Sequence, residues 1–184
     1  MIYRETELHG VFLIEPELKR DERGFFMRLW CRAEFEKRGL QKSFSQYSLA
    51  SNEKKGTLRG MHFQRPPFQE VKLIHCIQGA IYDVVIDLRQ ASPTYKRWFA
   101  AELSHDNRQM LYIPEGCAHG YQTLQDHTEV VYQISMPYER EAGAGIRWND
   151  PAFNIPWPEV PERTISQRDS VWPDFNASYA VQAH

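Results

Sequence analysis

The sequence predicts a single, mainly β domain, built as a sandwich or jelly-roll barrel of short strands. Short runs rich in β-branched and aromatic residues recur along the chain, and turn-forming residues separate them at spacings of roughly 8–12 residues. The 184 residues are enough for one domain with a hydrophobic core, and 42% of them are hydrophobic, which is typical of a soluble globular protein. We therefore expect residues 1–184 to form one domain.

Alternating hydrophobicity makes residues 80–88 the clearest predicted strand. Successive side chains of a strand point to opposite faces. One face combines apolar with acidic residues and can line a chemically active interior; its members are Ile81, Asp83, Val85 and Asp87. The other segments with strand-like length and composition are residues 10–16, 70–77, 98–103, 110–113 and 128–135.

Helical signals are scarce in this sequence. A short helix is expected at about residues 32–38, because Gly39 follows it as a C-terminal cap. After Tyr138 the strand pattern fades into sequence rich in proline and tryptophan, which we expect to be irregular but packed. The predicted fold is therefore a jelly roll with a short helix and an irregular C-terminal segment.

Composition argues against several classes of protein. No apolar run approaches the ~20 residues needed to span a bilayer. The first residues also lack the basic region followed by an apolar core that is typical of a signal peptide. The three cysteines, Cys31, Cys76 and Cys117, are odd in number and lack C-x-x-C spacing, which indicates reduced thiols in a cytoplasmic protein. A net charge of −2 gives no general attraction to nucleic acid. We expect neither a membrane nor a nucleic-acid partner.

Two histidines occur in segments that resemble the two halves of the cupin signature, which bring histidines into the mouth of a β-barrel. His62 lies in GTLRGMHFQ, and His119 lies in PEGCAHG. The metal-binding signature needs His-x-His followed by Glu, but Gln64 occupies the second histidine position and the nearest downstream glutamate is Glu70. Two imidazoles without a fitting carboxylate make a poor zinc or iron site, so no metal is predicted.

The residues that accompany His62 favour proton transfer over a structural role, which is the commoner role of a lone histidine. Removing a proton beside a ketone needs a base near neutrality and a group that stabilises the enolate oxygen. Histidine supplies such a base, and a carboxylate at its far nitrogen stabilises the imidazolium. Lys72 shares a strand face with Glu70, and the phenol of Tyr132 needs a partner or a cavity. Taken singly, these two also fit a solvated lysine and a core aromatic.

Seven sequence blocks are similar, in the same order, to those of the dTDP-4-dehydrorhamnose 3,5-epimerase family. The blocks are DERGFF at 21–26, GTLRGMHFQ at 56–64, VKL at 71–73, IYDVVIDLR at 81–89, SPT at 92–94, IPEGCAHG at 113–120 and WNDP at 148–151. The resemblance runs from about residue 8 to residue 175. It implies a cupin-type jelly-roll β-barrel without metal or other cofactor. It also implies a homodimer with exchanged strands, and epimerisation of a nucleotide-linked 4-keto-6-deoxyhexose at C3, C5 or both in deoxysugar biosynthesis.

Carried over by position, the resemblance also implies roles for individual residues. His62 would be the proton acceptor with Asp169 as its carboxylate partner, and Tyr132 would be the proton donor from the opposite face. Lys72 would stabilise the enolate, and Tyr138 would stack on the nucleobase. The implied substrate-binding residues are Arg23, Gln46, Arg59, Lys72, His119, Tyr138 and Arg168. The forked donors of arginine suit a pyrophosphate.

Three departures from the family pattern leave the nucleotide and the sugar open. Arg28 stands where the family often has Glu, Ser48 stands in place of Asn in a Gln-x-Asn stretch, and a Glu expected before the WNDP block is not clearly placed. A single-centre epimerase acting on a CDP-, GDP- or UDP-linked 4-keto sugar therefore also fits the sequence. So do a non-catalytic cupin that binds a sugar nucleotide and a metal-dependent cupin.

Overall fold

Short, mostly antiparallel strands form most of the regular structure in the computed structural model, which describes residues 1–176. The strands are β1 (Ile2–Glu5), β2 (Phe12–Glu15), β3 (Lys19–Asp21), β4 (Gly24–Phe26), β5 (Gln46–Asn52), β6 (Thr57–Gln64), β7 (Lys72–Gln78), β8 (Ala80–Asp87), β9 (Trp98–Ser104), β10 (Met110–Ile113), β11 (Cys117–Thr123), β12 (Thr128–Ile134), β13 (Gly143–Gly145) and β14 (Thr164–Ile165). The helices are α1 (Arg32–Glu36) and α2 (Gln167–Ser170).

Strands β5 to β12 form the predicted jelly roll, in which most consecutive strands alternate between two facing sheets. One sheet has the order β1-β2-β10-β7-β12-β5. The other has the order β13-β6-β11-β8-β9, with β14 added in parallel to β6. The mainly β fold class predicted from the sequence is thus confirmed. Because β6 and β12 lie in different sheets, His62 and Tyr132 approach the interior from opposite sides.

Strand β8 shows how the sequence pattern sorts residues between two cores. Ile81 and Val85 pack in the core between the sheets, whereas Val84 and Ile86 pack on the outer face of the second sheet. The C-terminal segment covers that outer face with residues that include Trp157. The segment contains only β13, β14 and α2 as regular elements among the described residues, so the expected irregular but packed region is present.

The predicted helix is confirmed and covers the outer face of the first sheet. Its Phe35 is fully buried against β7 and β10, in a cluster that includes Leu73 and Tyr112. The chain leaves the helix through Gly39, whose φ of 68° lies in the left-handed region that favours glycine. No helix within residues 1–176 has the length and apolar character needed to cross a membrane.

The hairpin formed by β3 and β4 stands apart from both sheets. Among residues 1–176, its two strands pair only with each other, and the hairpin exposes two aromatic side chains, Phe25 at 42% and Phe26 at 65%.

Candidate active site

A cavity of about 660 Å³ opens between the two sheets and is lined by both of them and by α2. Nine of the ten site residues expected from the sequence lie in its wall: Gln46, Arg59, His62, Lys72, His119, Tyr132, Tyr138, Arg168 and Asp169. They come from five strands, one loop and α2, which are far apart in the sequence. The jelly roll therefore brings together a site that no local segment contains.

His62 and Asp169 form a hydrogen-bonded pair in the cavity wall. Nε2 of His62 lies 2.7 Å from Oδ1 of Asp169, with the imidazole 42% exposed and the carboxylate buried. Asp169 lies in the first turn of α2, where its amide donates to the side chain of the N-cap Ser166. A carboxylate accepts the hydrogen of Nε2, so Nδ1 of His62 keeps its lone pair and can act as a base.

Three protein donors hold Asp169 in its ionised form. Burial works to raise the pKa of its carboxyl group, but the hydrogen bond and charge of His62, together with two further hydrogen bonds, outweigh burial, and the net pKa is lowered. The amide of Gly60 and the indole Nε1 of Trp172 also donate to the carboxylate, at 3.3 and 3.2 Å. The charged Asp169 can therefore stabilise an imidazolium at His62.

Lys72 presents an ammonium group inside the cavity. Its Nζ lies 3.0 Å from Oε1 of Glu70 and donates to the backbone carbonyl of His62 at 3.2 Å. Both side chains of the Lys72–Glu70 pair are nearly buried. An ammonium has three N–H donors, so one remains for an oxygen of a bound molecule. The expected strand over residues 70–77 begins only at Lys72, so Glu70 lies before β7 and pairs with Lys72 from the preceding loop.

Tyr132 is a partly buried phenol on β12. Burial raises its pKa well above the ordinary value, and the neighbouring phenol of Tyr121 raises it further. Tyr132 is therefore protonated at neutral pH and is available as an acid. Tyr121, which nothing in the sequence pattern singles out, follows His119 by two residues on β11, and this spacing puts both on one face of the strand.

His119 forms a second, fully buried pair with Asp83. Nε2 of His119 lies 2.6 Å from Oδ1 of Asp83, and the imidazole ring centre is 6.1 Å from that of Tyr132. Burial raises the pKa of Asp83 despite the opposing effects of His119 and Lys72. The other acidic residue of the predicted inner face, Asp87, instead binds Arg89 at 2.8 Å and supports the fold.

Two guanidinium groups and an exposed aromatic ring stand at the mouth of the cavity. Both terminal nitrogens of Arg168 donate to the hydroxyl of Tyr138 at 3.3 Å, and the Tyr138 side chain is 55% exposed. Arg59 also lines the mouth and donates through Nη2 to the carbonyl of Ser51 at 3.2 Å. The rim thus offers positive charge and a stacking surface to an anionic aromatic ligand.

Arg23 is the one expected site residue that lies outside the cavity of its own chain. It sits between β3 and β4 with its side chain 83% exposed, and its Nη2 lies 2.6 Å from Asp21. This location could not be foreseen from the sequence, because the position of a short hairpin relative to a sheet is not encoded in its local pattern.

Gln64, at the position of the second histidine in the metal-binding signature, uses its amide within the protein. Its Nε2 donates to the carbonyl of Phe68 at 2.9 Å, and its Oε1 accepts from the amide of Glu139 at 2.6 Å. Within residues 1–176, no three His, Cys, Asp or Glu side chains are grouped closely enough to hold a metal ion.

Comparison with known proteins gives consistent matches over nearly the whole chain. A sequence model described as dTDP-4-dehydrorhamnose 3,5-epimerase matches residues 5–177. A dTDP-4-dehydrorhamnose 3,5-epimerase from Methanothermobacter thermautotrophicus is 43% identical over 170 residues, covering 91% of each chain.

Two solved structures have the same architecture. A dTDP-4-dehydrorhamnose 3,5-epimerase from Bacillus anthracis, with TDP and PPi bound, has a TM-score of 0.90 at 41% identity and covers 95% of this chain and 99% of its own. A dTDP-6-deoxy-D-glucose-3,5-epimerase from Legionella pneumophila, in complex with dTDP-4-keto-L-rhamnose, has a TM-score of 0.92 at 29% identity. The match covers 100% of this chain and 98% of the Legionella chain.

Proposed function

The chain belongs to the dTDP-4-dehydrorhamnose 3,5-epimerase family, and from this premise we propose that His62 and Tyr132 carry out its isomerase reaction. The reaction epimerises a nucleotide-linked 4-keto-6-deoxyhexose at C3, at C5 or at both, in deoxysugar biosynthesis. One observation carries the assignment of residues. A carboxylate-supported imidazole and a protonated phenol enter the same cavity from opposite sheets.

The first step is removal of a proton beside the ketone by His62. The C–H bond breaks, the proton goes to the imidazole, and the electron pair moves onto the C4 oxygen as an enolate. The charge of Asp169, 2.7 Å from the ring, stabilises the imidazolium. The free N–H of Lys72 stabilises the enolate oxygen, in a site where burial strengthens the interaction.

The second step is return of a proton to the opposite face of the carbon by Tyr132. The phenolic O–H bond breaks and a new C–H bond forms, which leaves a tyrosinate and a ketone of inverted configuration. Because substrate and product have the same oxidation state, the step needs no electron donor or acceptor. Proton exchange with solvent returns His62 and Tyr132 to their starting forms.

The rim residues bind the nucleotide part of the substrate in this proposal. Arg59 and Arg168 contact the diphosphate, and Tyr138 stacks on the base through its exposed ring. Gln46 and His119 also line the cavity and supply further polar contacts. The diphosphate charge therefore meets the arginines while the sugar reaches the His62–Tyr132 pair.

We further propose a homodimer in which Arg23 of one protomer completes the cavity of its partner. The β3–β4 hairpin pairs only with itself, exposes Phe25 and Phe26, and keeps Arg23 out of its own cavity. A reducing, cytoplasmic location is proposed as well, because Cys31, Cys76 and Cys117 are unpaired.

Deuterium uptake from heavy water tests the proposed function. The protein is incubated with 4-keto-6-deoxyglucose linked to dTDP, CDP, GDP or UDP, and NMR follows exchange and inversion at C3 and C5. Exchange with inversion is expected for at least one nucleotide, and a strong chelator in the buffer is expected to leave the rate unchanged. Binding without exchange would identify a non-catalytic sugar-nucleotide-binding protein. Loss of exchange in chelator, restored by one divalent ion, would identify a metal-dependent cupin.

A further inference from the structure

Tyr121 lies directly behind the proposed acid and is the most deeply buried large side chain of this region. It sits on β11 with 0% exposure, whereas its neighbour Tyr132 sits on β12 of the facing sheet and lines the cavity. The two rings flank the ring of His119, with centroid distances of 6.4 Å for Tyr121 and 6.1 Å for Tyr132. Tyr132 also packs against the core cluster that contains Tyr121.

Asn52 fixes the direction of the Tyr121 hydroxyl hydrogen. The hydroxyl donates to Oδ1 of Asn52 at 3.2 Å. Nδ2 of Asn52 donates to the carbonyl of Thr128 at 3.0 Å, so the amide cannot present its nitrogen to Tyr121 without losing that bond. A hydroxyl has one hydrogen, and here it is used. The phenol of Tyr132 interacts with that of Tyr121, and because the Tyr121 hydrogen is already used, the Tyr121 oxygen can only accept in that contact.

A second donor to the Asn52 oxygen makes this arrangement reversible. Nε of Arg59 donates to the same Oδ1 of Asn52 at 2.8 Å. If the Tyr121 hydrogen turns toward Tyr132, the Asn52 oxygen keeps the Arg59 bond and is not left buried without a partner. Rotating the Tyr121 hydrogen therefore breaks only its bond to Asn52, whose oxygen still accepts from Arg59.

We propose that Tyr121 is a positioning residue for the proton donor Tyr132. In the resting protein Tyr121 accepts the phenolic hydrogen of Tyr132. Once that proton has moved to the substrate carbon, Tyr121 turns its own hydrogen to the tyrosinate oxygen. This inference rests on the proposed function, in which Tyr132 supplies the inverting proton.

The physical reason is the cost of a buried anion. A tyrosinate on β12 would lose most of its hydration, and a hydrogen-bond donor at its oxygen lowers that cost. The resting arrangement favours the neutral phenol of Tyr132, because burial and the acceptor Tyr121 both raise its pKa. Turning the Tyr121 hydrogen therefore favours release of the Tyr132 proton only at the step that needs it.

Tyr121→Phe tests the proposal, because it keeps the buried ring and deletes the hydroxyl. Proton removal by His62 should continue at the wild-type rate, while inversion on saturating substrate should fall by about three- to tenfold, the effect of one hydrogen bond. The ratio of deuterium exchange to inversion should rise by the same factor, and KM should change little. A structural defect would instead lower exchange and inversion together.

Tyr112→Phe is the matched control. Tyr112 is also buried, on β10, and its hydroxyl accepts from the amide of Gln41 at 3.1 Å, outside the cavity wall. The Tyr112→Phe variant should lose a similar amount of thermal stability but keep the wild-type ratio of exchange to inversion. If Tyr121→Phe also keeps the wild-type ratio while the wild-type protein exchanges and inverts, the positioning role is wrong and the proposed function stands. If the wild-type protein does not exchange, the proposed function itself fails.

A second variant covers the case in which Tyr121→Phe does not fold. Replacement of Tyr121 by 3-fluorotyrosine keeps the ring, the hydroxyl and nearly the same volume, but makes the hydroxyl a stronger donor and a weaker acceptor. Inversion should then be as fast as in the wild type or faster, so the ratio of exchange to inversion should not rise. A rise in that ratio would overturn the proposal.

Discussion

Oδ1 of Asp169 lies 2.7 Å from Nε2 of His62, although 107 residues separate them in the sequence. Because the carboxylate stabilises the imidazolium, Asp169→Asn should lower kcat by about 10²–10⁴-fold with little change in KM. Steady-state kinetics on the dTDP-linked substrate measure this. Asp174→Asn is the control, because Asp174 pairs with Arg147 at the surface and should be neutral. Equal activity of both variants would remove Asp169 from the mechanism.

His62→Ala and Tyr132→Phe should fail in different ways. Without the base, exchange and product formation should fall together, by about 10²–10⁴-fold or more. Without the phenolic proton, the enolate still forms and the imidazolium returns a proton to the original face. Deuterium then enters the substrate with retained configuration, and NMR separates the two outcomes. Wild-type inversion by Tyr132→Phe would mean that Tyr132 is only a core aromatic.

Tyr138→Ala should weaken substrate binding and leave the chemical step intact. Base–aromatic stacking contributes about 1–3 kcal/mol, so Kd should rise by roughly 5- to 150-fold. Calorimetric titration gives Kd, and turnover at saturating substrate gives the chemical step. Tyr47→Ala is a suitable control, because Tyr47 is also an exposed tyrosine but does not line the cavity. Lower turnover with unchanged Kd would place Tyr138 against the sugar.

Mixed dimers test whether Arg23 serves the cavity of the partner. Arg23→Ala and His62→Ala homodimers should both be inactive or weak. In a dimer with one chain of each kind, one cavity has an intact His62 and receives an intact Arg23, so random mixing should restore about a quarter of the wild-type sites. If Arg23 acts in its own chain, each cavity carries one defect and no activity returns. A monomer in light scattering would also contradict the proposal.

His75 makes the stability of the fold depend on pH. Burial, reinforced by the charge of His105, lowers its pKa from 6.5 to about 4. The unfolded chain therefore binds more protons between these values, and stability is complete above pH 6.5 and lost as the pH falls toward 4. Between pH 7 and pH 5 the free energy of unfolding should drop by about 2 kcal/mol. Urea unfolding measures the drop, and His75→Met should remove it. Equal pH dependence of both proteins would contradict this.

The fold could be predicted where apolar residues alternate with the period of a buried strand. Strand β8 is the clearest case, since Ile81 and Val84 lie in the two separate cores that the alternation implies. Strand β5 was missed because it is an edge strand, and Tyr47 and Leu49 are 67% and 56% exposed. A strand without a buried face has no hydrophobic period to detect.

The candidate site could be predicted only in part, for a similar reason. The resemblance named its residues, but the sequence does not show that Asp169 reaches His62 through a four-residue helix. Tyr121 and Asn52 escaped notice because a tyrosine in a buried strand has the same local pattern whether its hydroxyl serves packing or a neighbouring phenol. Only the contacts across the two sheets distinguish these roles.

The hydrogen bonds of the Gln64 side chain bear on how this scaffold could gain metal chemistry. Gln64→His would place an imidazole at the position that completes His-x-His, but it would release the carbonyl of Phe68 and the amide of Glu139. Those two groups anchor the loop after β6 and the segment that follows Tyr138. The Gln64→His substitution alone would therefore loosen the part of the cavity wall that is proposed to bind the nucleotide, and a change to metal chemistry would need further substitutions that restore these contacts.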